Sequence, residues 1–129
     1  MTDSTISLFK EKNFAFVASL MSDGSPQITP VWIDYDGQFL LINTAEGRTK
    51  QKNFERDPRI AVSVMDHGNP YNVVTVRGRV MEQTGAGADE HIDRMAKKYL
   101  GVDKYPFRNP DEKRIILKIK PEKIYHLSS

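Results

Sequence analysis

The chain has 129 residues, of which 39% are hydrophobic and 28% are charged, and its formal net charge is +2. The length predicts one domain spanning residues 1–129, and the composition is that of a folded globular protein. The small net charge argues against nucleic-acid binding, and the absence of cysteine excludes disulfides and thiolate chemistry. The polar N-terminus is unlike a signal peptide, and no apolar run reaches the roughly 18 residues of a membrane span. We therefore expect a cytoplasmic protein that binds neither membranes nor nucleic acid.

The first part of the chain predicts a short helix and three strands. Asp3 or Ser4 is suited to cap the helix. The predicted strands cover residues 14–20, 27–35 and 38–43, and Asp-Gly turn signals separate them. Pro30 lies inside the second of these strands. Because proline donates no ladder hydrogen bond, it predicts an edge strand or a bulge.

The second part predicts two helices and four strands. The helices cover residues 48–56 and 86–100, and the strands cover residues 59–65, 71–82, 113–119 and 123–127. Gly78 indicates a bend or bulge in the long strand, and Pro121 separates the last two. Short strands joined by tight turns favour a mostly β, α+β fold with flanking helices. The expected architecture is a six- to seven-stranded antiparallel barrel, closed or split.

The most informative segment is residues 43–53, where a strand turns into a helix. Arg48 and Lys50 fall in the first helical turn, where an exposed cation opposes the helix dipole by about 0.3–1 kcal/mol. This charge order is explained by an anion such as a phosphate at the helix N-terminus, and equally by a solvated basic turn. Asn43 and Thr44 end the preceding strand. They are either local turn residues or hydrogen-bonding partners of the same anion.

Aromatic and histidine side chains are further candidates. Trp32, the only tryptophan, is either a packing anchor in the core or a dimer interface, or a surface for a planar ring. Tyr71 begins a strand, so it either packs with its hydroxyl at the surface or faces a cofactor across a subunit boundary. His67, His91 and His126 do not have the spacing of metal ligands, and we expect no metal site. His91 lies among acidic residues and is expected on a solvated helix face.

Three motifs with a definite order carry a resemblance to a known family. They are P-x-x-x-P-V-W at residues 26–32, N-T-x-x-G-R-x-K-x-x-N at residues 43–53, and R-D-P-R at residues 56–59. In this order and spacing the chain resembles the pyridoxamine 5′-phosphate oxidase-like flavoproteins of the split-barrel fold. It most resembles a small branch, many members of which use the deazaflavin coenzyme F420. The last residues lack the arginine and tryptophan of pyridoxamine phosphate oxidases proper, so we expect no role in vitamin B6 synthesis.

The resemblance implies a homodimeric oxidoreductase with cofactor grooves between the protomers. F420H2 would deliver hydride to a small organic acceptor, with FMN as the other possible cofactor. A non-catalytic carrier or sensor of FMN or F420 is the alternative. The implied cofactor-binding residues are Pro30, Val31, Trp32, Asn43, Thr44, Ala45, Arg48, Lys50, Asn53 and Tyr71. Arg48 and Lys50 would hold the phosphate, and no catalytic side chain is implied.

Overall fold

The computed structural model describes residues 1–128, which form an antiparallel sheet and three helices. The helices are α1 (Asp3–Lys10), α2 (Thr49–Arg56) and α3 (Ala88–Leu100). The strands are β1 (Ala15–Leu20), β2 (Pro26–Val31), β3 (Asp34–Tyr35), β4 (Leu40–Ala45), β5 (Arg59–Asp66), β6 (Asn69–Thr84) and β7 (Arg114–Leu127). Their order in the sheet is β2-β1-β5-β6-β7-β4-β3. The sheet curls into a half-barrel, which confirms the predicted mostly β split-barrel fold.

One face of the sheet forms the core. Along β1 the buried residues alternate with exposed ones, and Val17 packs beside Val62 and Val76 of the neighbouring strands. Helix α1 adds Leu8 and Phe9, both fully buried, to the same cluster. This burial stabilises the half-barrel from its inner side. Within residues 1–128, no helix has the length and apolar character needed to cross a membrane.

The middle of β6 contains the predicted bulge. The register with β7 shifts between Arg77 and Gly78, and Gly78 lies opposite Pro121. A Cβ on Gly78 would lie 2.1 Å from the carbonyl oxygen of Lys120, so only glycine allows the strands to approach here. Proline is tolerated at this irregular position, and β7 therefore runs through it as one strand. The prediction of two separate closing strands was wrong for this reason.

The proline prediction at the other end of the sheet is confirmed. Pro30 lies in β2, which forms an edge of the sheet. The predicted strand 27–35 is nevertheless two strands, because the backbone at Ile33 leaves the ladder. The Ile33 N–H donates to the Tyr99 hydroxyl at 3.1 Å. This break turns Trp32 away from the regular sheet.

Two helix boundaries also differ from the predictions. Thr2 caps α1, and its side-chain oxygen accepts from the Thr5 N–H. Helix α3 begins at Ala88, two residues later than predicted, and ends at Leu100 with Gly101 as its C-terminal cap, as expected. Helix α2 begins at Thr49 with Arg48 as its cap and ends at Arg56, in agreement with the predicted helix over residues 48–56.

Candidate functional site

A cleft of about 280 Å³ lies where β2, the end of β4 and the first turn of α2 meet the loop after α3. Its polar end contains Asn43, Thr44, Arg48, Lys50 and Arg114. Its apolar wall contains Phe14, Pro30, Val31, Trp32, Ile92, Tyr105 and Phe107. The fold thus brings together the predicted strand residues 30–32, the strand end 43–44 and both predicted cations. These segments are distant in the sequence, and only the curl of the sheet makes them one surface.

The first turn of α2 has the charge order that the sequence indicated. It contains no acidic residue, and the capping residue Arg48 makes no side-chain cap hydrogen bond. The turn before it depends on Gly47, whose φ of 90° is in the left-handed region that favours glycine. The Gly47 N–H donates to the side-chain oxygen of Gln51 at 2.8 Å. The first turn of α2 therefore has no acidic residue of its own to balance the cations around it.

Three cations converge at the polar end of the cleft. Burial is the main reason that the pKa of Lys50 is lowered, and the neighbouring charges of Arg48 and Arg114 lower it further. Arg48 pairs with Glu112, and Glu112 also accepts from Arg114 at 3.2 Å. Within residues 1–128, the Lys50 ammonium has neither an ion pair nor a hydrogen bond. A half-buried ammonium between two guanidinium groups is unfavourable unless an anion joins them.

Arg114 is a member of this cluster that the sequence reasoning missed. The pairing of β4 with β7 places it opposite Ala45, and its side chain is buried. Its Nε donates to Asn43 Oδ1 at 2.9 Å, and its guanidinium lies 5.3 Å from the centre of the Tyr105 ring. Asn43 Nδ2 donates in turn to the Ala88 carbonyl at 2.8 Å. Asn43 therefore orients Arg114 and ties α3 to the sheet.

Thr44 contributes a hydroxyl group that has no partner. The residue is 1% exposed, and no hydrogen bond to its Oγ1 exists within residues 1–128. A buried hydroxyl without a partner costs about 1–3 kcal/mol. An anion oxygen in the cleft would accept from it. This orphaned donor, beside Arg48, Lys50 and Arg114, shows that the donor set fits a phosphate group.

The wall opposite the cations is aromatic. Trp32 stacks on Tyr99 with ring centres 5.2 Å apart, and the edge of Tyr105 meets Trp32 at 6.1 Å. Burial raises the pKa of Tyr99 to about 12, and its hydroxyl donates to the Asn13 carbonyl at 2.6 Å. Trp32 is therefore a packing residue and a cleft residue at once. Tyr105 and Phe107 lie in a loop without periodicity, so no sequence signal indicated them.

Three of the predicted residues lie outside the cleft lining. Ala45 is 2% exposed and packs in the core. Asn53 is buried, and its Nδ2 donates to Ser19 Oγ at 2.9 Å, so its amide holds α2 on β1. Tyr71 is 67% exposed at the start of β6. Any cofactor role for these three stays a prediction.

The expectation for His91 was wrong. Its side chain is fully buried, because this face of α3 packs on β4, and Asn43 Nδ2 lies 3.1 Å from its Nδ1. Burial lowers the pKa of His91 to about 4, and the nearby Arg94 lowers it further. The imidazole is therefore neutral at pH 7. Within residues 1–128, no group of three histidine or acidic residues is arranged to hold a metal ion.

Comparison with known proteins assigns the fold to a family. The family model for pyridoxamine 5′-phosphate oxidase matches residues 1–128. The chain belongs to the pyridoxamine 5′-phosphate oxidase family. This membership confirms the resemblance drawn from the motifs at residues 26–32 and 43–59, and it supports a flavin-binding, oxidoreductase-like function.

Solved structures of similar proteins support the same assignment. A structure named F420 reductase is 26% identical to this chain with a TM-score of 0.81, and the match covers 92% of this chain and 94% of that one. The HupZ protein of Group A Streptococcus is 21% identical with a TM-score of 0.72, covering 100% and 96%. A pyridoxamine 5′-phosphate oxidase-like protein from Listeria innocua is 18% identical with a TM-score of 0.74, covering 98% of each chain. The last two likenesses concern the fold alone.

Proposed function

We propose that this chain is an oxidoreductase that binds coenzyme F420, or alternatively FMN, and serves hydride transfer to a small organic acceptor. The observation that carries the proposal is the cation cluster of Arg48, Lys50 and Arg114 beside the free Thr44 hydroxyl in one cleft. Family membership supports a flavin-type cofactor. The likeness to a protein named F420 reductase supports the deazaflavin over FMN.

Charge balance favours a phosphate at the polar end. Three cations face one carboxylate, that of Glu112, which leaves a surplus of two positive charges among these groups. A phosphate group brings negative charge and accepts hydrogen bonds from guanidinium, ammonium and hydroxyl donors. Arg48 and Lys50 would be the main anchors, and Arg114 and Thr44 would complete the set.

The aromatic end is suited to a planar ring. Pro30 and Val31 border the cleft at the sheet edge, and Trp32 is held rigidly by its stack on Tyr99. When bound, the flavin or deazaflavin ring supplies the hydride chemistry, and the protein supplies position and electrostatics. The cations are therefore anchors and not catalysts.

A homodimer is part of the proposal, because aromatic side chains are exposed on the sheet face opposite the core. Phe16 is 44% exposed and Tyr125 is 55% exposed. The strand register places them in one row, through Ser63 and Thr75. Phe14, also exposed, lines the cleft beside this face, so a partner docked there would border the cofactor. The exposed Tyr71 is proposed to approach the partner's cleft.

Sedimentation of the purified protein tests the dimer. Phe16→Glu is expected to convert the protein to monomers, because a charge in the centre of an apolar interface is costly. Met81→Glu is the control, since Met81 is an exposed methionine outside this row. A wild-type protein that sediments as a monomer at all concentrations contradicts the dimer.

Titration of the apo-protein with FMN and with F420, side by side, tests the cofactor. Trp32 is the only tryptophan, so its fluorescence reports on the cleft directly. Arg48→Ala is expected to weaken binding by about 1.5–3 kcal/mol, the scale of a hydrogen bond to a charged group. Lys52→Ala is the matched control, because Lys52 is an exposed cation on the same helix. Equal affinity of wild type and Arg48→Ala rejects the phosphate assignment.

A non-catalytic carrier or sensor is the second candidate. Among the described residues 1–128, those that line the cleft include no histidine, carboxylate or cysteine side chain, and Tyr105 is the only phenol among them. The cleft therefore offers few groups for proton transfer. A protein that binds F420H2 but does not speed its oxidation by any of a broad panel of acceptors is a carrier. Turnover with one of them favours the enzyme.

A further inference from the structure

The loop between α3 and β7 is held at two points by carboxylates. This loop, residues 101–113, carries Tyr105 and Phe107 into the wall of the cleft. At its first half, Asp93 accepts from the Tyr105 N–H at 2.8 Å and from Arg108 at 2.7 Å. These contacts fasten the loop to α3.

The second point is Glu112, at the end of the loop. Its carboxylate pairs with Arg48 through one oxygen and accepts from Arg114 through the other at 3.2 Å. The hydrogen bond from Arg48 is the main reason that the pKa of Glu112 lies below its usual range. Glu112 does not line the cleft itself, but through these contacts it already occupies donors of Arg48 and Arg114 that an anionic ligand would use.

We propose that Glu112 is the built-in counter-ion of the anion site, and that a bound phosphate displaces it from Arg48 and loosens the loop carrying Tyr105 and Phe107. This inference rests on the proposed phosphate site. Arg48 would exchange one carboxylate oxygen for a phosphate oxygen, while the Lys50 ammonium, which has no partner among residues 1–128, would gain one. Glu112 would keep its contact with Arg114.

The exchange makes Glu112 a determinant of which anions bind. An anion that reaches Arg48 alone merely replaces the Glu112 carboxylate, so it gains little. A phosphate group that reaches Lys50 as well gives that ammonium a counter-ion, and it is therefore favoured over an anion that contacts Arg48 alone. Because Glu112 ends the loop, the same step couples occupancy of the phosphate site to the position of the aromatic wall.

The experiment titrates inorganic phosphate into wild-type protein and Glu112→Gln, with Trp32 fluorescence as the readout. The variant keeps the shape of the side chain and removes its charge, so it is expected to bind phosphate about three- to tenfold more tightly. Glu46→Gln is the control, because Glu46 is an exposed carboxylate whose partner is Lys113, at 3.8 Å. It is expected to bind phosphate like the wild type.

Hydrogen exchange of residues 101–113 gives a second readout. Phosphate is expected to speed exchange of this loop in the wild type, whereas in Glu112→Gln the loop exchanges fast from the start. Glu112→Asp keeps the charge but is one methylene shorter, so its affinity should lie between the two. It also provides a folded variant if Glu112→Gln does not fold.

Four outcomes overturn the inference. Weaker phosphate binding by Glu112→Gln means that Glu112 orients Arg48 and does not compete with the ligand. A wild-type loop whose exchange is unchanged or slowed by phosphate means that the loop is not coupled to the site. Failure of the wild type to bind both phosphate and the cofactors removes the proposed function with it. Cofactor binding without a Glu112 effect removes this inference alone.

Discussion

Replacing Lys50 with methionine is expected to make the protein more stable and a poorer binder. Lys50 lies in the first turn of α2, where a cation opposes the helix dipole by about 0.3–1 kcal/mol. Its two cationic neighbours, Arg48 and Arg114, each add a few tenths of a kcal/mol of repulsion, on the scale of about 0.2–0.5 kcal/mol per like-charge pair. Together these effects predict that Lys50→Met raises the free energy of unfolding by about 1 kcal/mol. For a domain of this size, that corresponds to a midpoint increase of roughly 3–5 °C.

The same substitution removes a donor to the ligand. We expect the affinity for FMN or F420 to fall by about 1.5–3 kcal/mol, roughly ten- to hundredfold. Thermal unfolding without ligand and fluorescence titration with ligand measure the two effects separately. Lys52→Met is the matched control, because Lys52 is exposed on the same helix and does not line the cleft. It should change neither quantity appreciably.

The pH dependence of stability gives an independent check on Lys50. Its pKa is lowered below 10.5 in the folded state, so the unfolded chain binds more protons just below that pH. The free energy of unfolding should therefore rise with pH in this range, and the rise should be smaller in Lys50→Met. A Lys50→Met protein that is less stable than Lys52→Met, with unchanged cofactor affinity, would refute the argument that the lysine is held there for an anion.

Two further predictions concern His91 and Gly78, which are buried positions outside the cation cluster of the cleft. The pKa of His91 is about 4 in the folded protein against an ordinary 6.5, so the unfolded chain takes up the proton first as the pH falls. The free energy of unfolding should then drop by up to about 3 kcal/mol between pH 6.5 and 4, and urea titrations of His91→Gln should lack this drop. Gly78→Ala should lower the free energy of unfolding by about 3 kcal/mol or more, because its Cβ would lie 2.1 Å from a Lys120 backbone oxygen. Denaturation of Gly85→Ala is the comparison, since that Cβ would meet nothing closer than 3.7 Å and should cost less than about 1 kcal/mol.

Local sequence signals predicted most elements of the fold, and they failed where a distant contact overrides them. Pro30 and Gly78 indicated an edge strand and a bulge from their own backbone limits, and both features are present. The strand break at Ile33 had no local signal, since it depends on the hydroxyl of Tyr99 far along the chain. Pro121 appeared to end a strand, because the compensating glycine lies on the neighbouring strand. Such pairings cannot be read from one segment.

In the candidate site, too, some residues could be predicted from local sequence signals and others could not. Arg48 and Lys50 could be found because they violate a rule of helix stability within a short segment. Arg114 satisfies every local expectation of a strand residue, and only the pairing of β4 with β7 brings it to the cleft. The prediction that His91 lies on a solvated helix face was wrong because its acidic neighbours in sequence lie on a different face of α3 from the ring itself.

The polar end and the aromatic end of the cleft favour different chemical groups of a ligand. At the polar end, the described residues 1–128 leave Lys50 without a counter-ion and the Thr44 hydroxyl without an acceptor. At the other end, Trp32 already packs against Tyr99 in a stack, so it gives the cleft a flat surface whether or not a ligand is bound. A free anion would contact only Lys50 and Thr44, and an apolar ring would contact only Trp32. A planar ring joined to a phosphate interacts with both ends of the cleft. FMN or F420 should therefore bind more tightly than inorganic phosphate, and the gain in binding free energy should grow with the apolar area that the ring buries against Trp32.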